Sequence, residues 1–243
     1  MNLDNVHVVL VQTSEPQNLG AVARAMRNCE LSRLTLVNPL TDDLVTARRV
    51  AVHAEELLDA PRTVSTLTEA VSDAVWVVGT TSRTIPGGPR LTPREVALRA
   101  AELTDGGEVA LVFGGESSGL TNDHLLSCHA VSYIPAGPIQ PSFNLAQAVL
   151  VYAYELHEAS RQGMALPAPA EPRAPDRELT MLETVLRKLL DASGFPDPDR
   201  PRHGVRHLAQ TLRRAGLTLA EAKLWHAALR VALHAAERGG GRA

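Results

Sequence analysis

An α/β domain built on a mainly parallel sheet, followed by a smaller all-α unit, is the architecture this sequence predicts. Three observations predict it. Short apolar runs alternate with amphipathic helical patterns through the first two thirds of the chain, the rhythm of strand–helix–strand units. Most of those runs are apolar at consecutive positions, as a sheet covered by helices on both faces requires. A proline-rich stretch then separates this region from three further helical patterns.

The elements follow in order. VHVVLV (6–11), LTLV (34–37), AVWVVG (74–79), VALVF (109–113) and AVSYI (130–134) are the expected strands. Helices are expected between them at 18–29, 44–58, 66–72 and 92–103. The last opens on Thr92-Pro93-Arg94-Glu95, with a threonine cap, proline at the first helical position and glutamate three residues after the cap. Residues 143–161 read as one long helix. Residues 1–161 are therefore one domain and 162–176, QGMALPAPAEPRAPD, a linker stiffened by proline. Residues 177–243 are the helical extension. In its first helix Leu179, Leu182, Leu186 and Leu189 recur every three or four residues, and Gly194 follows as a C-terminal cap. Segments 202–215 and 218–236 complete the three helices.

Composition bounds the function. The chain has 243 residues, 44% of them hydrophobic, enough for one sizeable core and a small second unit. No apolar run approaches the ~20 residues of a membrane helix, and the N-terminus lacks the pattern of a signal peptide. No membrane partner and a cytoplasmic location are expected. Cys29 and Cys128 suit that compartment and form no disulfide framework. His124, Cys128 and His129 lack a second ligand pair at zinc spacing, so no metal is expected. The net charge of −3 is uneven: residues 1–172 hold 11 basic and 19 acidic side chains, residues 173–243 hold 13 and 8. Two readings stand, separate tasks for the halves or simply arginine on exposed helix faces.

In an open α/β sheet, ligands bind beyond the carboxyl ends of the strands. After the first strand, NLGAVARAMRN (18–28) places Val22, Met26 and Cys29 on one face and Arg24 about 200° from Val22. Gly20 admits a close neighbour, and the free N–H groups of the helix start suit an anion. Arg24 is then either aimed at a phosphate or polar ligand or an ordinary solvent-facing arginine. After the fourth strand, GGESSGLT (114–121) nearly spells a phosphate-binding P-loop, but Leu120 stands where the lysine must be, so a nucleoside triphosphate is not expected. What remains is a glycine turn holding Glu116, with Thr121 capping a short helix. After the fifth strand, PAGPIQPSFNLAQAV (135–149) is a rigid loop that leads into the long helix through Ser142 and Asn144, as a ligand shelf or only as helix caps. The third strand ends in GTTSR (79–83), whose small hydroxyl residues can accept a ligand edge.

These stretches, NLGAVARAMRN, FGGESSGLTND and IPAGPIQPSFNLAQAVLVYAYEL, occur in the order and spacing of the three motifs of SPOUT-superfamily RNA ribose methyltransferases. The chain resembles their TrmJ type, which methylates the ribose 2′-hydroxyl of nucleotide 32 in the tRNA anticodon loop. LTLVNP, VVGTTSR and the tail SGFPDPDRPRHGVRHLAQTLRRAGLT are similar to the same type. The resemblance implies a SPOUT α/β domain with a deep trefoil knot, S-adenosylmethionine as cofactor, and a homodimer whose sites are completed across the interface. It implies Thr80, Thr81, Ser82, Gly114, Ile134, Ser142 and Phe143 in the cofactor pocket. Asn18, Arg24, Glu116, Ser142 and Asn144 would form the reaction centre, with Arg24 as a phosphate clamp, since guanidinium stays protonated. The tail would be an RNA-binding extension. Relatives commonly read FGRE where this chain reads Phe113-Gly114-Gly115-Glu116. That departure keeps two other readings open: ribosomal RNA as the substrate, or a cofactor-binding RNA module with weakened catalysis.

Overall fold

The computed structural model describes residues 1–83, 90–162, 171–195 and 203–239. Among the described residues seven strands, all paired in parallel, lie side by side in the order Arg62–Val64 (β3), Arg33–Val37 (β2), Val6–Val11 (β1), Glu108–Gly114 (β6), Ala74–Thr80 (β4), Ala130–Ser132 (β7) and Arg90–Leu91 (β5). The five expected strands are β1 (Val6–Val11), β2 (Arg33–Val37), β4 (Ala74–Thr80), β6 (Glu108–Gly114) and β7 (Ala130–Ser132). Every residue of β1 is buried, as its unbroken apolar run requires. Val6, Val8 and Leu10 face one core together with α1 (Pro16–Asn28), α2 (Leu44–Ala51), α4 (Pro93–Leu103) and α6 (Leu145–Arg161). Val9 and Val11 face the other, with α3 (Leu67–Ala70) and α5 (Asn122–Leu126).

Two strands had no sequence signal. β3 (Arg62–Val64) is a three-residue edge strand with only Val64 buried, and β5 (Arg90–Leu91) has two residues. The helix expected over 44–58 is broken. α2 ends at Ala51, Val52 and His53 turn the chain with φ of 19° and 65°, and a 3-10 turn covers Glu55–Leu58. Ala47, Ala51, Ala54 and Leu58 are nonetheless all fully buried. The turn preserves the apolar spacing that made the segment look continuous. The α4 start carries the full capping box expected at Thr92 and Glu95.

At the amino ends of the central strands lies a buried polar cluster. His7 Nδ1 is 2.6 Å from Glu108 Oε1, His7 Nε2 is 2.7 Å from Thr35 Oγ1, and Arg33 pairs with Glu108 Oε2 at 2.5 Å. Burial pushes the Glu108 carboxyl up, but His7 and Arg33 outweigh it and hold it below its ordinary value. A carboxylate with a lowered folded pKa contributes stability that is present above its unfolded value and lost as pH falls through the folded one. Glu108→Ala should therefore cost about 3 kcal/mol in denaturant unfolding at pH 7, by leaving buried His7 without its carboxylate and half-exposed Arg33 unpaired. The gap between variant and wild type should narrow as pH falls below about 4.3.

The chain divides into two compact units, Met1–Ala170 and Glu171–Ala243. In the second, α7 (Asp176–Ala192), α8 (His203–Arg214) and α9 (Leu219–Gly239) pack together. Gly194 has φ of 75°, and Phe195 N–H reaches back to the Leu190 carbonyl, so α7 ends at the expected glycine. Part of the expected linker, residues 163–170, lies outside the described residues. Its end belongs to the second unit: Ala174 is buried and its N–H bonds the Leu217 carbonyl at 2.8 Å. Arg213 is buried, paired with Asp176 and bonded to Thr180 and Glu183. It is a structural clamp, not a surface cation.

Candidate active site

The carboxyl ends of β4, β6 and β7 surround a cleft of about 270 Å³. All seven residues expected around a cofactor line it: Thr80 at the end of β4 with Thr81 and Ser82 after it, Gly114 at the end of β6, and Ile134, Ser142 and Phe143 after β7. Thr80 Oγ1 donates to the Val112 carbonyl at 2.9 Å, and Thr81 N–H donates to the Ser132 carbonyl at 3.0 Å, so adjacent strand ends are tied together. The glycine loop folds tightly on itself. A Cβ on Gly114 would lie 2.1 Å from the Gly119 carbonyl carbon, and Gly119 has φ of 64°. Leu120 is buried, so the position that a P-loop gives to lysine belongs here to the core.

The cleft floor comes from residues the sequence did not single out. Phe113 and Tyr152 meet edge-to-face at 5.5 Å, and Tyr152 Oη lies 2.7 Å from Ser132 Oγ. Burial, only partly offset by the Ser132 bond, pushes the Tyr152 hydroxyl up to about 12, so it stays neutral. Its place on the apolar face of α6 made it look like an ordinary core residue. On the rim, Arg83 donates to the Leu120 carbonyl, and Arg90 stacks 4.2 Å above the Tyr133 ring.

Beside the cleft, three motif residues are joined. Glu116 accepts from Ser14 N–H and Ser14 Oγ–H, each at 3.0 Å, from Glu15 N–H at 3.4 Å, and from Asn18 Nδ2 at 3.0 Å. Asn18 Oδ1 in turn accepts from Asn144 Nδ2 at 2.9 Å. Asn144 also caps α6 through Ala146 N–H at 2.9 Å. Burial raises the Glu116 pKa, but the bonds from Ser14 and Asn18 win and hold it below the usual carboxylate value. Glu116 is thus a committed anion with both oxygens engaged.

The Glu116 carboxylate meets the chain just ahead of α1, at the Ser14 and Glu15 N–H groups, and reaches into its first turn through the Asn18 side chain. The close neighbour that Gly20 admits is α2: a Cβ there would lie 2.0 Å from the Ala47 carbonyl oxygen. Arg24 is exposed, opposite the buried Val22 and Met26, and makes no ion pair among the described residues. It does not line the cleft of its own chain.

The histidines near Cys128 serve the backbone. His124 Nδ1 accepts from Thr121 N–H at 3.4 Å and His129 Nδ1 from Val77 N–H at 2.9 Å. Among the described residues no group of His, Cys, Asp and Glu suits a metal ion, and no helix is long and apolar enough to cross a membrane.

A ligand cleft at the carboxyl ends of a parallel sheet, with a committed acid beside it, defines a class that comparison with known proteins identifies. The family model described as SpoU rRNA Methylase matches residues 5–154, and the chain belongs to that family. The tRNA (cytidine/uridine-2′-O-)-methyltransferase TrmJ of Cronobacter sakazakii is 40% identical over 220 residues, 88% of this chain and 89% of the relative. The tRNA (cytidine/uridine/adenosine-2′-O-)-methyltransferase TrmJ of Pseudomonas aeruginosa is 41% identical over 236 residues, 90% of each. The crystal structure of TrmJ from Z. mobilis ZM4 matches with a TM-score of 0.82 at 32% identity, over 93% of this chain and 97% of that one.

Proposed function

We propose that this chain is an S-adenosylmethionine-dependent tRNA ribose 2′-O-methyltransferase that acts on nucleotide 32 of the anticodon loop, as a homodimer in the cytoplasm. The observation that carries the reading is the joined Glu116–Asn18–Asn144 set, which brings the three motif segments together beside the cleft. The relatives named for tRNA 2′-O-methylation, matched over nearly their whole length, support the substrate class.

The cleft suits the cofactor chemically. Apolar walls at Ile134 and Phe143 offer a nucleobase a dry face, while the hydroxyls of Thr81 and Ser82 and the glycine loop offer polar edges. S-adenosylmethionine supplies an electrophilic sulfonium methyl. The chain's own residues align the reactants. Glu116 fixes the start of α1 and the orientation of Asn18, and Asn144 ties α6 to both. Glu116, held ionised with both oxygens engaged, is a weak base, so the ribose hydroxyl would give its proton to solvent water as its oxygen takes the methyl group and the sulfur keeps the bonding pair. Arg24 binds a substrate phosphate and stabilises charge developing on the ribose oxygen. Because it lies outside its own cleft, it acts on the cleft of the second protomer. Exposed Leu150 and Tyr154, one turn apart on α6, and exposed Phe143 in the loop that leads into it support a protomer contact beside the cleft. The knot of the family belongs to this reading. So does an RNA-binding task for the basic second unit.

Mapping ribose methylation in tRNA and rRNA from cells with and without the gene tests the assignment. Loss of the 2′-O-methyl group at tRNA nucleotide 32, with rRNA unchanged, is the expected result. A loss confined to rRNA overturns it. Binding of tRNA to the full chain should weaken as salt rises, because phosphate contacts release counterions.

A further inference from the structure

One face of α9 has no partner among the described residues. Its inner side packs through Ala222 on Ala174 and Leu179. On its outer side Leu224 and Val231 are 71% and 72% exposed. Glu221, Leu224, Ala228, Val231, Ala235 and Arg238 are all exposed and form one stripe. Their spacings are 3, 4, 3, 4 and 3, the repeat of a helix–helix seam.

That spacing reads the same from either end. A second α9 laid antiparallel falls into register about a point between Leu229 and Arg230. Leu224 then meets Ala235, Ala228 meets Val231, and Glu221 meets Arg238, each pair occurring twice. Large residues face small ones and acid faces base. In a two-fold contact of this kind residue i touches j while j touches i. Flanking the seam, Trp225 meets His234. A parallel copy would set Glu221 against Glu221 and Arg238 against Arg238. Glu221 uses Oε2 to bond Thr218, which leaves Oε1 for the opposing cation. RNA phosphates find no use for an apolar stripe of this kind.

We propose that α9 is a dimerisation helix, pairing antiparallel with the α9 of a second copy of this chain. The pairing is independent of any contact between methylase domains, and would set two basic extensions side by side for one RNA.

Disulfide trapping in the full-length chain tests the register. Native Cys29 and Cys128 are buried and stay out of the reaction. The variant carrying both Leu224→Cys and Ala235→Cys should link quantitatively into a covalent dimer under mild oxidation. Either substitution alone should not, because like positions would lie about 16 Å apart along the seam, beyond the ~7 Å reach of a disulfide. Adding Arg238→Glu, which sets like charges together, should cut the yield several-fold and leave contacts between methylase domains untouched. Equal linkage by the single and double variants, or none by the double variant, overturns the proposal.

Discussion

Gly115→Arg should weaken cofactor binding strongly and lower the melting temperature, although arginine stands there in the FGRE pattern of the family the chain resembles. A Cβ at position 115 would lie 2.2 Å from the Gln12 carbonyl oxygen and 3.3 Å from that of Val11. Both neighbours are backbone and neither is loose. Val11 pairs with Gly114 in the β1–β6 ladder, and Gln12 N–H bonds the Val37 carbonyl at 2.9 Å. Gln12 is already in the left-handed region, with φ of 55°. The glycine loop must therefore move away from β1, taking Glu116 from its donors at Ser14 and Asn18. Overpacking of this kind costs about 1–3 kcal/mol, or roughly 3–9 °C in a chain of this size. Gly115→Ala should shift melting in the same direction, since the clash is with Cβ and not with the guanidinium. Calorimetry with S-adenosylmethionine and thermal melting check both. A Gly115→Arg protein that melts like wild type and gains tRNA methylation would show that the loop yields without cost.

The same contact explains what the sequence could and could not disclose. Apolar runs identified β1, β2, β4, β6 and β7 because burial on both faces leaves little polar alternation. The order of those strands is a tertiary matter; β3, with Arg62 and Thr63 exposed, carries no apolar run, and β5 has only two residues. Glycine announced a close approach at 20 but not the neighbour, and at 114 and 115 the sequence announced only a turn. At Gly20 the neighbour is α2, at Gly114 the loop itself, at Gly115 the end of β1. The expected cofactor residues came from the resemblance, and they meet in one cleft because GTTSR and the second and third motifs end β4, β6 and β7, which the fold brings together. Tyr152 was not, because a tyrosine at helical spacing looks like core until its hydroxyl meets Ser132 at the cleft floor. The role of Glu116 needed the structure too. Its donors Ser14 and Asn18 lie about a hundred residues away, and no local pattern connects them.

Arg24→Ala should fold and bind cofactor normally, yet lose most methyl transfer. The side chain is exposed and opposite the buried Val22 and Met26, so its loss should change stability by no more than about 0.5 kcal/mol. Removing a donor that stabilises developing charge typically costs ~10²–10³ in rate. Arg24→Lys separates the roles. A point charge suffices if lysine recovers much of the rate, whereas a two-bond phosphate clamp requires that lysine remain nearly inactive. A rise in the Lys variant towards pH of about 10 would instead mark a base. The cleft that Arg24 serves can be read from mixed dimers. Asn144→Ala removes the link to Asn18 and the cap of α6 at a cost of about 1 kcal/mol. Co-expressed with Arg24→Ala, it gives mixed dimers with one cleft that has both an intact Asn144 and the other protomer's Arg24. Random pairing should restore about a quarter of wild-type activity. If Arg24 instead serves its own cleft, every cleft of the mixed dimer carries one of the two changes, and co-expression restores nothing. The converse check is the double variant, Arg24→Ala with Asn144→Ala in one chain, co-expressed with wild type. Service across the interface leaves both clefts of its mixed dimer damaged, and activity falls to about a quarter. Service within one chain leaves the wild-type cleft working, and activity stays near half. A value near half would place Arg24 in its own protomer's site.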